Sequence, residues 1–524
     1  MSKRTSWSRI ILGFATALVV GAGLGSVVQT QVNLLALAGL GVDIGVGPWL
    51  MTTLEDLFKF GPVYLVMFGC SFLLSQMVAM VGTRFILTSW RVPVCAIAAA
   101  VGLWATFKLV DSLAPPPTLI AATRDIGGML AMLATAAIAG WVFARMAGGR
   151  RSSRPGGTGV TAALILVLLT GFPQEQALAQ ADGDVQVETV VSGLEYPWSL
   201  AFLPDGGMLV TERPGRLRRV TPQGELDPEP IRGVPEVLTD GQAGLFEVSL
   251  APDFADSGQL YLSYACGTVQ ANHTCLARAR LEDNALHDLE EIFRVEPAKV
   301  GTAHYGGRIA WLPDGTLVLS LGDGFDYREE AQRLTSHIGT LLRLRPDGSV
   351  PPDNPFVDDP DALPEIYSYG HRNVQGLAYD SVSGQLIAHE HGPRGGDEVN
   401  IIEPGANYGW PVATHGLDYT WARVTPFTEY PGTEQPSLYW TPSIAPSGLV
   451  VYRGDAFSEW KGDLLVGALA DHALYRVSLA GLTPEQTRLL GDRNDRVRDV
   501  RVGPDGLVYL LTDHESGQIL RLRP

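Results

Sequence analysis

The sequence predicts an all-β, six-bladed β-propeller head preceded by an α-helical transmembrane anchor. Three observations carry this. The first 180 of 524 residues are mostly apolar and contain no histidine, whereas all ten histidines lie beyond residue 272. Of 39 Lys+Arg and 56 Asp+Glu, residues 1–180 hold 12 and 6, which leaves 27 and 50 in the remainder. That acidic remainder repeats one phrase six times: a hydrophobic strand, a Pro-Asp-Gly-type turn and a second hydrophobic strand. A chain of this length exceeds one ordinary core, so an anchor over 1–180 and a head over 181–524 are expected.

In the anchor, apolar stretches suited to crossing a bilayer occupy 10–28, 61–82, 92–113, 127–146 and, more weakly, 160–172. Lys3, Arg4 and Arg9 precede the first. Arg84 and Arg91 separate the second from the third, and Arg145, Arg150, Arg151 and Arg154 separate the fourth from the fifth. The other two connections carry only Lys59 and Arg124 near their spans. The positive-inside tendency then leaves the N-terminus in the cytoplasm, and five crossings carry the head out. This implies a bacterial inner-membrane protein with its C-terminal domain in the periplasm. The fifth stretch also reads as a signal peptide, since Ala177-Leu178-Ala179 follows it. Either reading exports the head, and the head is expected to stay tethered. With no histidine in the anchor and no Cys-x-x-Cys-His anywhere, the chain offers no recognisable haem site.

The head's phrases read LAFLPDGGMLVTE at 200–212, VSLAPDFADSGQLYLSY at 248–264 and IAWLPDGTLVLSLGD at 309–323. They return as GLAYDSVSGQLIAHE at 376–390, GLVVYRGDAFSEWKGDLLVGAL at 448–469 and VRVGPDGLVYLLTD at 500–513. Pro presets one turn position, Asp bonds the local backbone and Gly accepts positive φ, so each phrase is a hairpin. Six hairpins, each needing a neighbour to pack on, predict six four-stranded blades around a channel. The strand near 185–191 should pair with 518–522 and close the ring. Cys266 and Cys275 bracket a hairpin insert and form a local disulfide if the head is exported. The acidic head repels nucleic acid and anionic lipid surfaces, which argues against either as a partner of the head.

The chemistry-bearing residues cluster in short motifs: Gly241-Gln242-Ala243-Gly244-Leu245, His304-Tyr305-Gly306-Gly307-Arg308, Gly322-Asp323, Gly370-His371-Arg372-Asn373, the stretch EHGPRGGDEVN from Glu390 to Asn400, Asn407-Tyr408-Gly409-Trp410-Pro411, and Arg496-Val497-Arg498-Asp499-Val500. In this order, the motifs resemble the pyrroloquinoline-quinone (PQQ)-dependent aldose sugar dehydrogenases, relatives of soluble quinoprotein glucose dehydrogenase. The resemblance spans the head and excludes the anchor.

It implies oxidation of an aldose or related sugar at C1 to the lactone, by proton abstraction and hydride transfer to the quinone. His304 is the implied base and Arg372 the group that polarises the quinone oxygen. Arg496 and Arg498 would grip the cofactor's acidic groups, and Gln242, Asp323 and Asn373 would line its pocket. These types suit the task, because histidine titrates near neutrality, a hydride acceptor must be a cofactor, and arginine forks bind carboxylates. The resemblance also implies calcium at the carbonyls of Gly392 and Pro393, and a second, structural calcium at Glu398 and the Tyr408 carbonyl. A separate electron acceptor, quinone or cytochrome, is expected.

The chain departs from the family at one point. Where members often carry a lysine after Gly467-Ala468-Leu469, this chain has Ala470. Two other readings stay open at this level: a calcium-dependent lactonase-type hydrolase, and a non-catalytic propeller that binds glycan or protein.

Overall fold

The computed structural model describes residues 7–83, 90–113, 118–147 and 185–524. Four helices come first: α1 (Trp7–Gly39), α2 (Val46–Gly82), α3 (Arg91–Leu113) and α4 (Ile126–Ala147). All four are long and apolar enough to cross a membrane, and they contain the first four expected spans. The stretch at 160–172 and the Ala177-Leu178-Ala179 site lie outside the described residues.

Two helices outrun their apolar stretches. With 33 and 37 residues, α1 and α2 extend about 50 and 55 Å at 1.5 Å per residue, against roughly 30 Å of hydrocarbon. The additional turns interrupt apolar residues with polar ones, Gln29, Thr30 and Asn33 on α1 and Glu55 and Asp56 on α2. Hydropathy marks where a helix leaves lipid, which need not be where it ends. Within the bundle, Gly21 and Gly25 admit the rings of Phe68 and Tyr64, which any side chain there would overlap. Gly13 meets Met146 and Ala147, so the start of α1 and the end of α4 share one end of the bundle. The α1–α2 and α3–α4 connections share the other.

The head consists of six antiparallel sheets, one per repeat phrase. The turn chemistry works as the sequence predicts. Asp205, Asp314 and Asp505 each accept the N–H two residues on, while Gly206, Gly315 and Gly506 take positive φ. Five sheets have four strands. The sheet over 197–220 has three, one fewer than expected, because the chain after Val220 forms only an isolated bridge through Leu226. The ring closes as expected: Gln186–Leu194 pairs antiparallel with Gly517–Arg523, with Val187 opposite Leu522. Each of the six junctions between neighbouring sheets holds its own apolar cluster. Cys266 and Cys275 are disulfide-bonded.

Near the axis the first strands meet over a buried ion cluster. Arg308 Nη1 lies 2.9 Å from Glu247 and 2.8 Å from Asp499, and Arg501 pairs with both carboxylates. The Arg308 guanidinium also lies 4.0 Å from the centre of the Trp198 ring. Charge opposing charge at the centre, where six strands converge, fixes the orientation of the blades that carry the residues above it.

Candidate active site

In an antiparallel blade, the start of the first strand and the end of the second lie at the same edge. Gln242, His304, Arg372, Asn373, Arg496 and Arg498 enter or begin first strands, while Asp323, Gly392 and Asp513 follow second strands. The repeat therefore gathers them on one rim.

His304 is buried, with φ at +49°. Gln242 Oε1 accepts its backbone N–H at 2.9 Å, which helps hold that backbone in an unusual conformation. Its Nδ1 lies 2.6 Å from Asp323 Oδ1. Asp323 also accepts the Phe325 N–H and the Trp410 indole N–H, both at 2.8 Å. Burial opposes its charge, but His304, Arg372 and the Phe325 N–H hold its pKa below the usual range. His304 is shifted down as well, first by burial and then by the Arg372 charge, with Asp323 opposing. Asp323 is thus the partner that orients His304, a role its place in the sequence motif did not reveal.

Arg372 is buried, and its guanidinium donates to the carbonyls of His391 at 3.0 Å and Gly392 at 2.7 Å. Its backbone N–H donates to Glu390. Asn373 turns toward the protein, where its Oδ1 accepts the Gly306 N–H at 3.2 Å. Arg496 and Arg498 share a single carboxylate, Asp513, at 2.9 and 3.1 Å. Burial opposes the charge of Asp513, yet the two arginines draw its pKa down to about 2. Arg498 Nε is buried and has no partner. Arg496 also donates to the Leu469 carbonyl at 2.8 Å, beside Ala470.

The Gly392–Pro393 turn is tied down by Asp397, which accepts from Gly392 N, Ser443, Ile444 N and Ala445 N. One carbonyl of this turn already serves Arg372, so a calcium ion there would have to share it. Glu398 faces Glu390 across paired strands, and Asn400 Nδ2 bridges them at 3.3 and 3.2 Å. Burial and the Glu390 charge push the Glu398 pKa well up. Asn400 Oδ1 is buried without a partner. Two crowded carboxylates beside an unpartnered oxygen form a donor set suited to a hard cation. Tyr408 stacks on His371 at 4.7 Å within the same blade.

A small cleft opens over the rim, lined by Asp323, Phe325, Arg372, Trp410 and Tyr419 together with Arg124 of the α3–α4 connection. Phe325, Trp410, Tyr419 and Arg124 were not among the sequence candidates. Trp410 stood inside a quoted motif, but the other three offered no signal.

The family model for glucose/sorbosone dehydrogenase matches residues 194–521, which excludes the helical bundle. The aldose sugar dehydrogenase YliI of Escherichia coli (strain K12) is 43% identical over 355 residues, covering 66% of this chain and 95% of that protein. A crystal structure described as a glucose dehydrogenase is 48% identical with a TM-score of 0.62, covering 64% of this chain and 99% of its own. The PQQ-bound aldose sugar dehydrogenase of Streptomyces coelicolor is 29% identical with a TM-score of 0.54, covering 66% and 100%. These matches set aside the hydrolase and the non-catalytic alternatives. With the family model covering more than half its length, the chain belongs to the glucose/sorbosone dehydrogenase family and is an oxidoreductase of the sugar-oxidising kind.

Proposed function

We propose that the propeller oxidises an aldose, or a related cyclic hemiacetal, at C1 to the lactone, with PQQ as cofactor. The observation that carries this reading is the gathering of a buried His304–Asp323 pair, Arg372 and a cation-rich arginine pair on one rim. PQQ, when bound, supplies the electron-poor carbon that accepts the hydride. Asp323 keeps the His304 proton on Nδ1, so Nε2 holds the lone pair that takes the C1 hydroxyl proton. Burial keeps that ring neutral and ready at neutral pH. Arg372 holds a fixed positive charge near the base, where negative charge developing on an acceptor oxygen is stabilised. Arg496 and Arg498 outnumber Asp513, and the unpartnered Nε of Arg498 suits a cofactor carboxylate. Gln242 and Asn373 act on the site by holding His304 and Gly306. A separate quinone or cytochrome then receives the electrons.

Calcium is proposed at both expected places. The Glu398 site, with the Tyr408 carbonyl, has the stronger support in Glu390 and the free Asn400 oxygen. At Gly392 and Pro393 the ion would share a carbonyl with Arg372.

We further propose the division into an anchor over 1–180 and a head over 181–524, with the anchor in a bacterial inner membrane and the head in the periplasm. In support, the head contacts the α1–α2 and α3–α4 connections, while Arg9, Arg91 and Arg145 mark the opposite end of the bundle.

The test is to add PQQ and calcium to the detergent-solubilised full chain and record absorption before and after an aldose. Bleaching of the oxidised cofactor by the sugar is expected. Failure to bind PQQ would end this reading.

A further inference from the structure

The turns of α1 and α2 that carry Asn33, Glu55 and Asp56 reach the rim of the active site. Arg423 of the propeller donates its backbone N–H to Asp56 at 2.9 Å and its side-chain Nε to Glu55 at 2.6 Å. Its carbonyl accepts from Asn33 Nδ2 at 2.9 Å. The preceding residue, Ala422, is fully buried and packs into the apolar cluster of the helical bundle. Asp56 is itself buried and fixed by the Thr30 hydroxyl at 2.7 Å. An ionisable residue inside a helical membrane domain calls for a named partner, and its partner here is the main chain of a propeller loop.

That loop is a tight turn, in which Trp421 N bonds to Asp418 O and Asp418 N to Ala422 O. Its tip carries Tyr419, 44% exposed in the mouth of the cleft. The Tyr419 ring lies 5.8 Å from Phe325 at an interplanar angle of 8°, and Phe325 lies 5.1 Å from the His304 ring. Tyr419 OH is 3.4 Å from the Arg372 guanidinium. Within six residues the loop therefore joins the membrane helices to the residues around the base.

We propose that the membrane domain is a working part of the active site. By clamping Arg423, it holds Tyr419 beside Phe325 as an aromatic wall against which the C–H face of a pyranose packs. Tyr419 is a specificity-determining residue that touches sugar, and Arg423 and Asp56 are positioning residues. The proposal rests on the sugar-oxidising reading above. Asp326 and Glu329, paired with Arg124, form the second tie between the domains; with Asp418, which pairs with Arg328 inside the propeller, they keep excess positive charge off the mouth, which suits a neutral sugar.

The experiment uses the full chain in lipid nanodiscs with the variants Asp56→Leu, Asp56→Asn, Arg423→Ala and Tyr419→Ala. Amide hydrogen exchange over 418–424 is read without quinone or sugar, and KM, kcat and PQQ binding are read separately. Losing the buried acceptor in Asp56→Leu should speed exchange at Arg423 about tenfold. KM for an aldose should rise by a similar factor, with kcat nearly constant and PQQ binding unchanged. Tyr419→Ala should reproduce the rise in KM. Asp56→Asn should behave as wild type, because an amide oxygen still accepts the Arg423 N–H. Unchanged exchange in both Asp56→Leu and Arg423→Ala would overturn the clamp. Faster exchange with an unchanged KM would overturn its role in sugar binding. A wild-type chain that binds no PQQ would sink the functional reading and the sugar role together, a result distinct from either of these.

Discussion

His304 Nδ1 lies 2.6 Å from Asp323 Oδ1, and both side chains are buried. This one contact sets the tautomer of His304, the base proposed above. His304→Ala should retain PQQ binding and lose turnover by about 10²–10⁴-fold, the usual contribution of a general base. Stopped-flow reduction of the bound cofactor by sugar checks it, and a near-normal rate would show that another group is the base.

The same pair sets the pH profile. His304 must be neutral to accept a proton, and burial with Arg372 lowers its pKa from the ordinary value. Activity is therefore lost only as pH falls through that lowered pKa, so the acid limb of kcat/KM lies below about pH 6.5. Asp323 is the neighbour that raises the pKa, so Asp323→Asn should move the limb further down and lower the plateau rate. A limb that stays in place would separate Asp323 from the titration.

Arg498→Ala should weaken PQQ binding about tenfold or more, since a charge-assisted hydrogen bond contributes roughly 1.5–3 kcal/mol. Turnover at saturating cofactor should fall much less. Arg496→Ala should be milder, because its side chain is 42% exposed and screened by solvent. Equal, normal affinities in both variants would make the pair a structural tie to Asp513.

Chelating calcium should lower the melting temperature, because an ion bound only by the folded state stabilises it by mass action. Glu398→Gln should lower it too and blunt the effect of chelator, while PQQ still binds when calcium is supplied. Loss of PQQ binding at an unchanged melting temperature would exchange the roles of the two sites.

Arg308→Met should destabilise the propeller by about 3–5 kcal/mol, since it strands buried carboxylates at the axis. Urea unfolding followed by tryptophan fluorescence measures this. A loss below 1 kcal/mol would mean that Arg501 alone balances Glu247 and Asp499.

The hairpins were legible because a Pro-Asp-Gly turn is written in adjacent residues, as Asp314 bonding Thr316 shows. Ring closure was legible because the repeat left one strand over at each end. The rim was legible in its membership and not in its wiring. His304 and Asp323 are 19 residues apart and meet only because a blade folds back on itself. Arg394, inside the Glu390–Asn400 motif, covers the Trp421 ring at 3.7 Å, a partner that adjacent sequence does not disclose. Tyr419 lies in a connection with no repeat pattern. The added turns of α1 and α2 were missed because their apolar runs are interrupted by Gln29, Asn33, Glu55 and Asp56, although the helices continue through them.

The pairing of Gln186–Leu194 with Gly517–Arg523 has a consequence for biosynthesis. A ribosome delivers the first of these strands more than 300 residues before its partner, so that sheet stays incomplete at its edge until the second strand is made. The other five sheets are each built from contiguous chain and can form in order as they emerge. Only the strand Gly517–Arg523 converts an open crescent into a closed ring. A chain cut before Gly517 would thus keep every residue of the candidate site on a scaffold that had never been locked.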